Sequence, residues 1–157
     1  MDIRDVSLNY LTHRSRTSGE MRKRLSEKGF SEDEISTEMQ FLNELHYIDD
    51  FEYVRQYAEF CFSKGKGIRR IRNELIQKGV DYVALEELKE IQSEVDFASE
   101  QERALLQAEK LIADKKEIDD KLLAKVGRKL AALGYDSETT YQVLGVLMRK
   151  KRQDNMD

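Results

Sequence analysis

The residues with the clearest chemical potential lie in the run Lys64-Gly-Lys-Gly-Ile-Arg-Arg-Ile-Arg72. Two glycines ahead of a helix start place free backbone amides beside Lys and Arg, which are the ingredients of a phosphate cradle. A nucleotide-binding P-loop carries a Lys followed by Ser or Thr after its last glycine, and here Ile68 follows Gly67. Nucleotide binding is set aside on that ground. Two readings stay open: contact with a nucleic-acid backbone, or a tight inter-helix turn that explains both glycines without a ligand.

Other candidate groups carry less. Asp49 and Asp50 are a carboxylate pair of the kind that holds metals, but they directly precede the apolar stripe Phe51, Val54, Ala58, where an acid caps amides and favours the helix dipole. His13 and His46 have no Cys or His at ligand spacing, and Cys61 is the single cysteine. A metal site and a Cys–His nucleophile are therefore not expected, nor is a disulfide framework. No cofactor and no catalytic residue is expected, and the function is expected to be binding. Tyr47, Tyr53, Tyr57, Phe60 and Phe62 either stack on bases or pack between helices.

Charge is informative through its distribution. The net charge of -4 argues against indiscriminate coating of nucleic acid. Between residues 14 and 28, six basic residues face Glu20 and Glu27; between 64 and 78, six face Glu74 alone; Lys121, Lys125, Arg128 and Lys129 are unopposed. By contrast, residues 31 to 60 carry nine acids against Arg55. Six cations in a fifteen-residue window outnumber the acids available for i,i+4 pairing. The candidate contacts for a polyanionic or acidic partner are Arg14, Arg16, Arg22, Arg24, Lys64, Lys66, Arg69, Arg70, Arg72, Lys125, Arg128 and Lys129. The competing reading is a charged face that keeps an exposed helix solvated.

The elements that must position these residues are helices. Proline and tryptophan are absent and 37% of residues are charged, a mixture rich in strong helix formers, so the fold class is all-α. The chain also repeats. Arg22 to Phe30, Arg72 to Val80 and Gly127 to Tyr135 share a Leu, three residues, a Gly and an apolar residue, and the apolar residue four before each Leu is Met21, Ile71 or Val126. Each is an amphipathic helix ended by a glycine in the left-handed region, at Gly29, Gly79 and Gly134. Ser31 with Glu34 forms a capping box for the helix that follows, and Asp81 and Asp136 are expected to cap at the equivalent places.

With apolar stripes before and after each such helix, three tandem three-helix repeats are expected at 1–48, 49–92 and 97–151, with 92–96 as a linker. Units this small complete their cores by stacking, so an elongated, curved array is expected, its second helices aligning into a basic band. No run of about 18 apolar residues occurs, and no signal peptide is expected. One cysteine suits a reducing compartment, so the chain is expected to be a soluble cytoplasmic protein, and a monomer.

The run from Lys64 through Leu75 to Gly79, the corner Tyr47-Ile-Asp-Asp50 and the site Gly29-Phe-Ser31 resemble the RecX family of RecA regulators. The resemblance covers nearly the whole chain and is strongest over residues 41 to 79. Two positions depart from the family pattern: His46 stands where Gly usually precedes the Tyr, and Ile68 where Pro often follows the Gly. Both fall at turns, where local geometry is at stake more than function. The resemblance implies a small cytoplasmic protein that binds RecA filaments on DNA along the filament groove. It implies restraint of filament extension, ATP hydrolysis and strand exchange, with no chemistry of its own.

Overall fold

The computed structural model describes residues 1–94 and 99–156. Among these the chain is entirely helical: α1 (Ile3–Leu11), α2 (Ser18–Glu27), α3 (Glu32–Glu44), α4 (Asp50–Ser63), α5 (Ile68–Lys78), a 3-10 turn (Tyr82–Glu86), α6 (Glu87–Ser93), α7 (Glu100–Ile112), α8 (Asp120–Leu133) and α9 (Ser137–Met156). The expected linker at 92–96 and the expected start of a repeat at 97 lie partly outside the described residues. Two compact units emerge, Met1–Tyr57 with Glu74–Lys89 and Ala58–Asn73 with Glu90–Asp157. The division cuts through both α4 and α5, so each of these helices contributes to both units.

In the first unit α1, α2 and α3 pack on one another around Val6, Met21, Leu25, Ile35, Met39, Leu42 and Ile48. In the second, α7, α8 and α9 do the same around Ala104, Ala108, Leu123, Val126, Leu130, Tyr135, Val143 and Leu147. The stripe residues that defined the repeat, Met21 and Leu25, Ile71 and Leu75, Val126 and Leu130, are all completely buried. Each such Leu side chain contributes about 1.5–3 kcal/mol by leaving water, which is why the stripe marks the repeat.

The three expected helix ends share one geometry. Gly29, Gly79 and Gly134 have φ of 91°, 89° and 101°. In each, the residue after the glycine donates its N–H to the Leu carbonyl: Phe30 to Leu25 at 3.3 Å, Val80 to Leu75 at 3.3 Å, Tyr135 to Leu130 at 3.1 Å. The glycine N–H reaches the next carbonyl along, as in Gly134 to Ala131 at 3.0 Å. This is the Schellman pattern, which satisfies otherwise orphaned carbonyls and folds the following apolar residue onto the stripe.

Caps begin the helices. The Ser31–Glu34 box is present, and Asp136 accepts from the Thr139 N–H at 2.8 Å. A second box, Thr17 with Glu20, opens α2; its Thr-x-x-Glu spacing is readable in the sequence. The expected cap at Asp81 does not form: its side chain makes no capping bond, and the chain continues as a 3-10 turn whose geometry leaves that amide pattern unformed. The aspartate pair divides. Asp49 caps α4 through the Glu52 N–H, whereas the buried Asp50 carboxylate accepts from the Ser18 N–H at 2.9 Å and the Asp81 N–H at 2.8 Å.

Candidate nucleic-acid and partner interface

The basic residues are positioned by a backbone contact that recurs in each unit. In the first, the Gly19 N–H at the start of α2 donates to the Gly79 carbonyl at 2.8 Å; a Cβ on Gly19 would lie 2.6 Å from that oxygen. In the second, the Gly67 N–H donates to the Leu133 carbonyl at 2.8 Å, and a Cβ on Gly67 would lie 2.5 Å from the Gly134 oxygen. Basic helices α2 and α5 thus begin against the glycine end of a later helix, so closely that a side chain cannot intervene. The two glycines of the 64–72 run serve this turn: Gly65 has φ 78° and Gly67 makes the close approach.

A carboxylate fixes each junction. Asp50, the first residue of α4, takes the Ser18 N–H at the first turn of α2; Glu100, the first residue of α7, takes the Ile68 N–H at the first turn of α5 at 2.9 Å. Glu100 also pairs with Arg103. Burial pushes the Glu100 carboxyl above its ordinary range, while the Ile68 N–H and Arg103 pull the other way. Neither acid was distinguishable in the sequence from an ordinary helix-start carboxylate.

In the first unit Arg14 pairs with Glu20. Burial would raise the Glu20 carboxyl, but hydrogen bonds from Arg14 and the Thr17 N–H, with the charges of Arg14 and Arg16, hold it below the usual range. Arg16 is half-buried: its guanidinium lies 3.9 Å over the Tyr10 ring and donates to the Tyr10 carbonyl. Arg24 lies 5.3 Å from the same ring, and its Nε is buried with no hydrogen-bond partner among the described residues. Arg22 is exposed on α2. The first-unit candidates are thus two arginines held by Glu20 or Tyr10, one beside Tyr10 and one in water.

In the second unit Lys64 is exposed, 5.6 Å from the Phe60 ring. Lys66 is half-buried in the turn. Arg70 donates to the Ala132 carbonyl at 3.3 Å, favourably placed at the negative end of α8. Arg69 and Arg72 are exposed on α5, and Lys125, Arg128 and Lys129 on α8. Among the described residues none of these five forms an ion pair. Arg69 borders a cleft of 280 Å³ with Gly127 and Ala131 of α8 and Thr140, Tyr141 and Leu144 of α9, so the fold brings the α5 arginine to α8. Lys64, Lys66, Arg70, Arg72, Lys125, Arg128 and Lys129 do not line that cleft.

Of the aromatic residues, Tyr57 is committed to the fold, its hydroxyl donating to Glu74 at 2.5 Å, and Phe62 lies under Arg103 at 4.0 Å. Phe60 and Tyr47 remain more than half exposed. Tyr141, more exposed than either, was missed; its signal is an aromatic one position out of the Thr140, Leu144, Leu147 register. Among the described residues no group of three or more His, Cys, Asp or Glu is placed to hold a metal ion, and no helix is long and apolar enough to cross a membrane.

Residues 4–42 match the first three-helix domain of RecX and residues 49–87 the second. The chain is 30% identical over 160 residues to the regulatory protein RecX of Mycolicibacterium smegmatis, covering 96% of this chain and 81% of that relative. The chain belongs to the RecX family. Against the regulatory protein RecX of Vibrio parahaemolyticus the identity is 33% over 135 residues, covering 86% of this chain and 84% of the relative. The Clostridium botulinum RecX is 31% identical, and the chain spans 62% of that relative's length. In fold, it is similar to the crystal structure of RecX from Lactobacillus salivarius, with a TM-score of 0.79, 24% identity, and 92% and 94% of the two chains covered. The all-α, helical-repeat architecture read from the sequence agrees with that RecX structure.

Proposed function

We propose that the chain binds RecA recombinase filaments on DNA and restrains their extension, ATP hydrolysis and strand exchange, acting in the cytoplasm by binding rather than catalysis. RecX membership and relatives named regulatory proteins support a regulatory role. The observation that carries the finer reading is the set of exposed cations without ion-pair partners among the described residues, Arg69 and Arg72 on α5 and Lys125, Arg128 and Lys129 on α8. Cations left unpaired in a chain of net charge -4 suit a partner that brings its own negative charge. DNA phosphates and acidic protein surfaces both meet that description, because Arg serves phosphate and carboxylate alike.

The division into repeats at 1–48, 49–92 and 97–151 belongs to this proposal, each repeat supplying one basic second helix. So does the wider contact set, including Arg14, Arg16, Arg22, Arg24, Lys64, Lys66 and Arg70. Arg14 and Arg16 are engaged by Glu20 and Tyr10 in the free chain, and would contribute less than the unpaired five.

The deciding experiment is co-sedimentation with RecA-coated single-stranded DNA, run beside the rate of DNA-dependent ATP hydrolysis. The protein is expected to pellet with the filament and slow hydrolysis at or below one chain per RecA. Reversal of Lys125, Arg128 and Lys129 to Glu is expected to abolish both. No slowing at any ratio overturns the proposal.

A further inference from the structure

The cleft bordered by Arg69 and Tyr141 has properties that the packing of the helices does not require. The Tyr141 ring on α9 is 74% exposed, a large flat apolar surface left in water where a core residue would be covered. Beside it, Thr140 and Leu144 form the α9 wall of the cleft. The α8 wall is Gly127 and Ala131, the smallest side chains available. A Cβ on Gly127 would already be in ordinary contact with α9, 3.5 Å from Leu144 Cδ1 and 4.0 Å from Thr140 Cγ2, so the small α8 residues let α9 come close and form the floor of the cleft.

Charge completes the arrangement. Arg69 borders the cleft and has no ion-pair partner among the described residues. Asp136, which senses the Arg69 charge, is held below its usual range mainly by hydrogen bonds from Thr139, with the Arg69 charge a lesser cause, and so is occupied in capping α9. At 100° per residue Arg128 follows directly round α8 from Gly127, and Lys121 lies on the same side; both are exposed.

A stacking ring, a guanidinium and a flanking row of cations match a base with the phosphates on either side of it. A base inside a duplex has its faces covered, so the ring selects an unpaired strand. An acidic protein surface would use the cations but has no need of the open ring.

We propose that this cleft takes one base of a single-stranded nucleic acid, stacked on Tyr141, with the neighbouring phosphates on Arg69 and Arg128. The inference rests on the reading of the basic helices as a nucleoprotein-facing surface and assigns one part of it.

The test is fluorescence anisotropy of the full chain with a labelled oligodeoxythymidylate at low salt, without recombinase. Tyr141→Ala is expected to weaken binding by about 5- to 150-fold, the range that one stacked base supplies, and Tyr141→Phe to bind like the parent. On a strand of the same length with abasic sites, the parent and Tyr141→Ala are expected to bind equally. The cleft assignment is overturned by Tyr141→Ala binding oligodeoxythymidylate as the parent does, by an equal loss on the abasic strand, or by no binding of the parent. The same variants in the RecA ATP-hydrolysis assay separate the two ideas. If the parent slows hydrolysis while any of those results holds, the cleft assignment falls and filament regulation stands; if the parent neither binds strand nor slows hydrolysis, both fall.

Discussion

The Tyr135 hydroxyl donates to the Gly65 carbonyl at 2.7 Å, tying the residue that follows the glycine end of α8 to the turn ahead of α5, seventy positions earlier in the chain. Both residues are buried, so the bond holds in place the turn from which the Lys64–Arg72 cations project. Tyr135→Phe keeps the ring in the core and leaves the Gly65 carbonyl unsatisfied, and a loss of about 1–3 kcal/mol is expected in urea unfolding. Burial pushes the Tyr135 phenol up to about 12. A raised folded pKa means that this stability is complete below the unfolded value of about 10 and is lost as pH rises through the folded one. The parent is expected to weaken between about pH 10 and 12 more steeply than Tyr135→Phe.

The two close backbone approaches predict a contrast among glycines. Gly19→Ala and Gly67→Ala each drive a Cβ into backbone oxygen at 2.6 and 2.5 Å, which a backbone shift must absorb at a cost of about 1–3 kcal/mol. Gly145 inside α9 meets only the far end of Arg149 at 3.8 Å. Gly145→Ala is expected to gain about 0.5–1 kcal/mol of stability from helix propensity. Thermal or denaturant midpoints of the three variants check the order; equal midpoints would show that the approaches do not constrain the fold.

His46 is the only non-glycine among the described residues with positive φ, at 60°. The family pattern, with Gly usual at this position, thus marked a backbone conformation. His46→Val is expected to lose about 1–2 kcal/mol, because a side chain strains the left-handed region and a β-branch strains it most. His46→Gly relieves the strain but frees the unfolded chain by a comparable amount, so its denaturation midpoint should stay within about 1 kcal/mol of the parent.

What was legible in the sequence was what repeats locally. Met21 and Leu25, with their counterparts in α5 and α8, are readable because one stripe of apolar residues ending in glycine has a single helical interpretation. What stayed hidden depends on partners far away in the chain. Asp50 reads as a helix-start acid whether it caps its own helix or accepts from Ser18 and Asp81, and Glu100 is equally ambiguous. Asp81 and Asp136 occupy matching places, yet only Asp136 caps, because the element after Asp81 is a 3-10 turn. Among the candidate contacts, the windows of positive charge were visible, but not that Arg16 would settle on Tyr10 and Arg70 on the Ala132 carbonyl, nor that Tyr141 would stand beside Arg69.

Asp50 should matter more than its neighbour Asp49. Asp50→Ala leaves the Ser18 and Asp81 amides without their acceptor, and a loss of about 2–4 kcal/mol is expected for two bonds to a charged group. Asp49→Ala removes one exposed cap, worth about 0.5–2 kcal/mol. Asp50→Asn retains one acceptor oxygen and should fall between them. Equal losses for Asp49→Ala and Asp50→Ala in urea unfolding would contradict the bridging role.

Ile68 supplies the complementary test at the second junction. Proline suits the first position of a helix, where the N–H has no helical acceptor and the fixed φ is already right. In this chain that N–H is not idle: it donates to Glu100, whose ionised form burial already disfavours. Ile68→Pro therefore trades a gain of about 0.4–1 kcal/mol from a stiffer unfolded chain against a charge-assisted bond worth about 1.5–3 kcal/mol. The expected result is a net loss. The same substitution made in a Glu100→Ala background no longer breaks that bond, so its cost should shrink or reverse. A double-mutant cycle measures the difference: a coupling energy near zero would mean that Glu100 does not hold the start of α5, and that proline is compatible with this turn as it often is elsewhere in the family.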